Sequence, residues 1–102
     1  MPVYPTLTKS FMPPMINAGQ STTLTFTLTN PPGNPGVSNV NFYDYLPSSL
    51  QVAAIPNVTG TCPNALMATM AMPGNTNVSV SSLQVPAGPS SCTVSVNITN
   101  KT

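Results

Sequence analysis

The stretch Ser21-Thr22-Thr23-Leu24-Thr25-Phe26-Thr27-Leu28-Thr29 decides the fold. Leu24, Phe26 and Leu28 recur at every second position, with threonines between them. A period of two puts the apolar side chains on one face of an extended strand and the hydroxyls on the other. β-branched Thr also favours the extended state. Cys92–Asn100 repeats the pattern, with Cys92, Val94, Val96 and Ile98 inward and Thr93, Ser95, Asn97 and Thr99 outward. Val37–Leu46 turns Val40 and Phe42 inward, and Asn77–Val85 turns Val78 and Val80 inward before the alternation drifts. Further strands are predicted at Thr6–Phe11, Leu50–Ile55 and Leu66–Met72, the last weakest because Ala, Leu and Met also favour helix. Clusters of Pro, Gly, Asn and Ser separate these segments, and no segment carries helical spacing over helical length. About seven short strands between regular turn signals predict an all-β chain, an immunoglobulin-like β-sandwich.

The composition removes whole classes of function. The 102 residues suit one domain spanning 1–102, with no internal repeat. Only 3% of them are charged, against roughly 25% in a typical soluble domain. Lys9 and Lys101 are the bases, Asp44 is the acid, and His and Arg are absent. A hydrolytic triad has no base, and a carboxylate pair has no second carboxylate, so the chain reads as not an enzyme. No cofactor is expected, and metal sites lack a ligand set. Nucleic acid would meet almost no positive charge. Membrane insertion is not expected either, because no apolar run approaches the ~20 residues of a spanning helix.

The two cysteines, Cys62 and Cys92, lack the spacing of a redox or metal pair. One disulfide is expected, with buried free thiols as the competing arrangement; the bridge places the chain outside the reducing cytosol. The opening Met-Pro-Val-Tyr-Pro-Thr has neither the basic start nor the apolar core of a signal peptide. The expectation is a signal already removed, or a domain cut from a longer secreted chain.

Several runs resemble, in order, the conserved immunoglobulin-like repeat of prokaryotic extracellular and surface proteins. They are Lys9-Ser10-Phe11, Gly19 through Asn30, the element Phe42-Tyr43-Asp44-Tyr45-Leu46-Pro47, Leu83 through Gly88, and Ser91-Cys92-Thr93-Val94-Ser95-Val96. The resemblance implies a secreted or surface-displayed sandwich bridged by Cys62 and Cys92, with no enzymatic activity and no characterised ligand site. The chain departs from it in being poorer in acids and in standing as a single unit.

Strand parity puts Lys9 on the face of Leu7 and Phe11, Asp44 on the face of Val40 and Phe42, and Asn100 on the face of Val96 and Ile98. A Lys, an acid and an Asn meeting in one core is the residue set of a spontaneous isopeptide bond. A Lys9–Asp44 ion pair and turn chemistry by Asp44 are the simpler alternatives. Asn100 also stands close to Thr102, where strands fray and parity is weak. Tyr43 and Tyr45 share a face opposite Phe42, as a surface patch for a neighbour or carbohydrate, or as an ordinary cross-strand pair. Asn57, Asn77, Asn97 and Asn100 begin Asn-X-Ser/Thr sequons, which chance supplies readily in such a chain. The methionines read as core gap-fillers. The extended segment Met1–Pro5, with Val3 and Tyr4, is a candidate for contacting a neighbour's sheet edge.

A neutral surface of hydroxyls and amides raises little repulsion between copies. The expected role is a structural subunit of a self-assembling extracellular filament, tube, sheath or surface layer. Its partners would be other copies of the chain, or adjacent modules of a surface protein. The alternative role is an adhesive, ligand-binding or stalk module of a larger surface protein.

Overall fold

The computed structural model describes residues 5–13 and 17–101. Seven strands form two antiparallel sheets, joined by one short helix. The strands are β1 (Thr6–Met12), β2 (Ser21–Asn30), β3 (Val37–Tyr45), β4 (Leu50–Val52), β5 (Thr69–Met70), β6 (Asn77–Val85) and β7 (Ser90–Asn100), with α1 at Ala65–Ala68. One sheet runs β1-β2-β7-β4 and the other β3-β6-β5. The layers are those of a seven-stranded immunoglobulin-like sandwich, four strands facing three. The strand order has its own signature. β7 lies between β2 and β4, where the fifth strand of the immunoglobulin order would lie, and β5 occupies the place of the last.

The alternation read in β2 and β7 is the core of the molecule. Leu24, Phe26, Leu28, Val94, Val96 and Ile98 are buried and face Val78, Val80, Leu83 and Val85 from β6. Phe26 meets Phe42 from the opposite sheet, with ring centroids 5.0 Å apart and planes tilted by 59°. That is a favourable geometry for the two ring quadrupoles.

The drift in β6 has a local cause. The spacing from Val80 to Leu83 is three instead of two, yet both are buried. Ser82 takes a positive φ of 56°, and the β3–β6 register shifts nearby. This bulge restores the inward face after one extra residue. Two asparagines hold it: the Ser82 amide donates to Asn41 Oδ1 at 2.8 Å, and Asn64 Nδ2 donates to the Ser82 carbonyl at 3.0 Å. Asn64 Oδ1 also accepts the Gln84 amide at 2.8 Å.

Two predicted strands are shorter than expected. The segment Leu50–Ile55 is a strand only to Val52, because Pro56 cannot donate to a ladder. The chain nevertheless follows β7 through single bonds, Ala53 N to Asn97 O at 3.0 Å and Thr59 N to Ser95 O at 3.0 Å. Leu66–Met72 is corrected more strongly: Ala65–Ala68 forms a helical turn and only Thr69–Met70 is strand. Helix-favouring Ala, Leu and Met win where no strand ladder extends to receive them. For the described methionines the gap-filler expectation is also overturned. Met12, Met67, Met70 and Met72 are all exposed, because Met67 sits on the helical turn, Met12 and Met70 end their strands and Met72 lies beyond β5; Met1 and Met15 lie outside the described residues.

Candidate functional site

The expected disulfide is present: Cys62 and Cys92 are both buried and bonded, with Cα atoms 4.8 Å apart. The Cys62 amide also donates to the Thr93 carbonyl at 3.2 Å. The bridge therefore staples the irregular segment after β4 onto β7, at the point where the chain leaves for the other sheet. It does not cross between the layers.

Lys9 and Asp44 meet as parity allows. β1 and β3 are the edge strands of their sheets, and they face each other along one side of the sandwich. The Lys9 ammonium lies 2.8 Å from Asp44 Oδ1 and 5.5 Å from the centroid of Phe11. Lys9 remains partly in solvent while Asp44 is more enclosed, with side-chain exposures of 36% and 16%. Asp44 Oδ2 is buried without a hydrogen-bond partner. The observed arrangement is the ion pair.

Asn100 is not brought to this pair. Lys9 is opposite Phe26, and Phe26 is opposite Val94. Asn100 lies six residues further along β7, opposite Leu50. At about 3.3 Å per residue that is roughly 20 Å along the strand. β1 and β7 both flank β2 and do not touch as neighbours. Asn100 serves the far end of the sheet, where its carbonyl accepts the Gly19 amide at 2.8 Å. The isopeptide set is thus split by strand order, a property that parity within single strands does not contain.

Beside the ion pair, a cavity of about 360 Å³ opens between β1 and β3, lined by Pro5, Leu7, Leu28, Val37, Val40 and Phe42 among others. Leu7 is 44% exposed although it shares the inward face of β1. It lines this cavity instead of packing closely against β3.

On the outer face of β3, Tyr43 and Tyr45 are 68% and 75% exposed, with centroids 6.0 Å apart and planes within 14° of parallel. Tyr43 is registered with Ser79 and Tyr45 with Asn77. Val3 and Tyr4 lie outside the described residues.

The outer face of the four-stranded sheet is a lattice of hydroxyls and amides. Its rows include Ser10-Thr25-Ser95 and Thr8-Thr27-Thr93. Several are bonded across strands: Thr25 Oγ1 to Ser95 Oγ at 2.9 Å, Ser21 Oγ to Thr99 Oγ1 at 3.0 Å, and Thr23 Oγ1 to Asn97 Oδ1 at 3.3 Å. Asn97 is thereby engaged within the sheet, although it begins a sequon.

One functional element escaped the sequence. Asn30 is buried at 1% exposure, donating to the carbonyls of Pro35 at 3.1 Å and Pro86 at 2.9 Å, and accepting from Asn34 Nδ2 at 2.6 Å. It ties the β2–β3 and β6–β7 loops together. Its place at the end of a Thr-rich strand marked only a turn. Among the described residues, no group of three or more His, Cys, Asp or Glu gathers into a metal site. No helix among them is long and apolar enough to cross a membrane.

These features define a disulfide-braced, nearly ion-free β-sandwich with an internally cancelled charge pair and bare polar faces. Residues 5–102 match the family described as "Domain of unknown function (DUF7933)", and the chain belongs to that family. No curated protein and no solved structure matches it.

Proposed function

We propose that this domain is a structural, non-enzymatic subunit that assembles with copies of itself outside the cell, in a filament, tube, sheath or surface layer. The carrying observation is the disposal of charge. Asp44 neutralises Lys9 at the seam between the sheets, where the ammonium keeps contact with solvent, so Lys101 is the charged side chain outside an ion pair among the described residues. Two such molecules can meet over broad faces without desolvating or opposing ions. The cross-bonded hydroxyl rows offer a face whose donors and acceptors are already ordered, which lowers the entropy lost on contact. The Cys62–Cys92 bridge suits an oxidising compartment, and with the resemblance to prokaryotic surface repeats it supports the extracellular assignment. The test is sedimentation velocity over a concentration series together with electron microscopy of native material. Ordered polymers or concentration-dependent oligomers are expected; one monomeric species throughout would overturn the proposal.

A second reading, an adhesive or ligand-binding module of a larger surface protein, is favoured by the exposed Tyr43–Tyr45 pair beside Ser79 and Asn77. Aromatic rings flanked by amide and hydroxyl groups suit a sugar. Glycan-array binding that Tyr43→Ala and Tyr45→Ala abolish would support this reading over the first.

A further inference from the structure

The sandwich has four sheet edges, and three of them are blunted. β4 ends after three residues in a segment interrupted by Pro56. β5 has two residues and runs out of a helical turn. β3 carries register shifts between Val37 and Phe42. Short strands, prolines and bulges are the devices by which proteins keep edges from pairing with other chains. β1 is the least protected of the four: prolines flank it at Pro5 and Pro13, and its remaining device is Lys9, whose charge Asp44 neutralises. It pairs with β2 without a break from Thr6 to Met12, contains no proline, and has no strand on its other side among the described residues. Its one charge, Lys9, points toward the seam and is held by Asp44. On the inner side of this same edge lies the cavity lined by Leu7, Val40 and Phe42, with Asn39 and Asn41 at its wall.

We infer that the β1 edge is the interface between two copies of this chain, joined antiparallel across a two-fold axis into one continuous sheet. This inference rests on the self-assembly proposed above and names one of its contacts; a two-fold contact closes at a dimer, so a polymer needs a further contact through the polar faces of the sheets. The self-pairing register that uses all of β1 is centred on Lys9. It sets Leu7 against the second copy's Phe11, Thr8 against its Ser10 and Thr6 against its Met12. Apolar residues then meet on the inner face, and the seam cavity is covered. The hydroxyl row Ser10-Thr25-Ser95 continues into the second copy's Thr8-Thr27-Thr93. The two Lys9 ammoniums come opposite each other, and the two Asp44 carboxylates beside them keep that cluster neutral. A second copy fits better than a charged foreign strand, because Lys9 is already matched by Asp44 and the rows flanking the edge are otherwise hydroxyl and apolar.

Paired lysines on the outer face of the edge, Thr8→Lys with Ser10→Lys, test the inference against the wild type and a distant Gln84→Lys variant. Sedimentation velocity should show the dimerisation constant at least tenfold weaker in the double variant and unchanged in Gln84→Lys. Independently, a mixture of Thr8→Cys and Ser10→Cys proteins should oxidise to a mixed disulfide dimer, while neither variant alone should cross-link efficiently. A wild type that stays monomeric at every concentration overturns the self-assembly proposal itself. A wild type that assembles, with assembly indifferent to the paired lysines and no mixed cross-link, overturns this interface alone.

Discussion

Lys9 and Asp44 stand 35 residues apart in the chain and 2.8 Å apart in space, bridging the edge strands of opposite sheets. In a molecule with three charged side chains, this contact neutralises two of them against each other. The partners are unequal. Lys9 has solvent in reach, whereas Asp44 is enclosed and already has one unpartnered oxygen. Lys9→Met should therefore destabilise the fold more than Asp44→Asn, because it leaves a carboxylate enclosed without a counter-charge. The pair's own coupling, read from a double-mutant cycle in urea, is expected at about 0.2–1 kcal/mol and should shrink with added salt. Equal costs for the two single variants would contradict this assignment.

Reduction of Cys62–Cys92 opens a loop with a sequence separation of 30 residues. The chain-entropy relation gives about 3–4 kcal/mol of lost stability. The loss should begin locally, since the bridge fastens the segment after β4 onto β7. Hydrogen exchange at the Thr59 and Cys62 amides, which bond to Ser95 and Thr93, is expected to quicken before exchange in the β2–β7 core does. Simultaneous quickening throughout the molecule would show that the bridge acts globally instead.

The Ser82 bulge separates backbone strain from side-chain clamping. Ser82→Gly relieves the positive φ of 56° and should be neutral or stabilise by up to about 1 kcal/mol. Asn64→Ala removes hydrogen bonds to Ser82 and Gln84 and should cost about 1–2 kcal/mol. Thermal melts of the two variants should move in opposite directions, or only the second should move. A destabilised Ser82→Gly variant would mean that the hydroxyl, not the backbone, matters there.

Gly60 tolerates no side chain, for a reason of crowding and not of torsion. A Cβ there would fall on the Thr93 carbonyl oxygen and against Ala65 Cβ. Gly33 has a φ of +82° but open space around it. Gly60→Ala should lose about 1–3 kcal/mol or more through overpacking. Gly33→Ala should lose about 1 kcal/mol through its backbone alone. Denaturant midpoints in the reverse order would show that the segment after β4 can move away from β7.

Much of the architecture was present in the order of the residues. Leu24, Phe26 and Leu28, and their counterparts Val94, Val96 and Ile98, declare their inward faces because a strand alternates every residue and a buried face admits no ion. The near-absence of charge argued against acid–base and metal chemistry on composition alone, and a lone pair of cysteines left one possible intramolecular bridge. Parity also set Lys9 and Asp44 on inward faces. It could not say which inward faces meet, because that depends on how strands are ordered across two layers. The placement of β7 between β2 and β4 took Asn100 away from Lys9, and the facing of β1 and β3 gave Lys9 to Asp44. The helical turn at Ala65–Ala68, the buried Asn30 clamp and the bare β1 edge were decided by tertiary structure too. Each depends on what lies beside the chain in space, and local alternation has no information about neighbours distant in sequence.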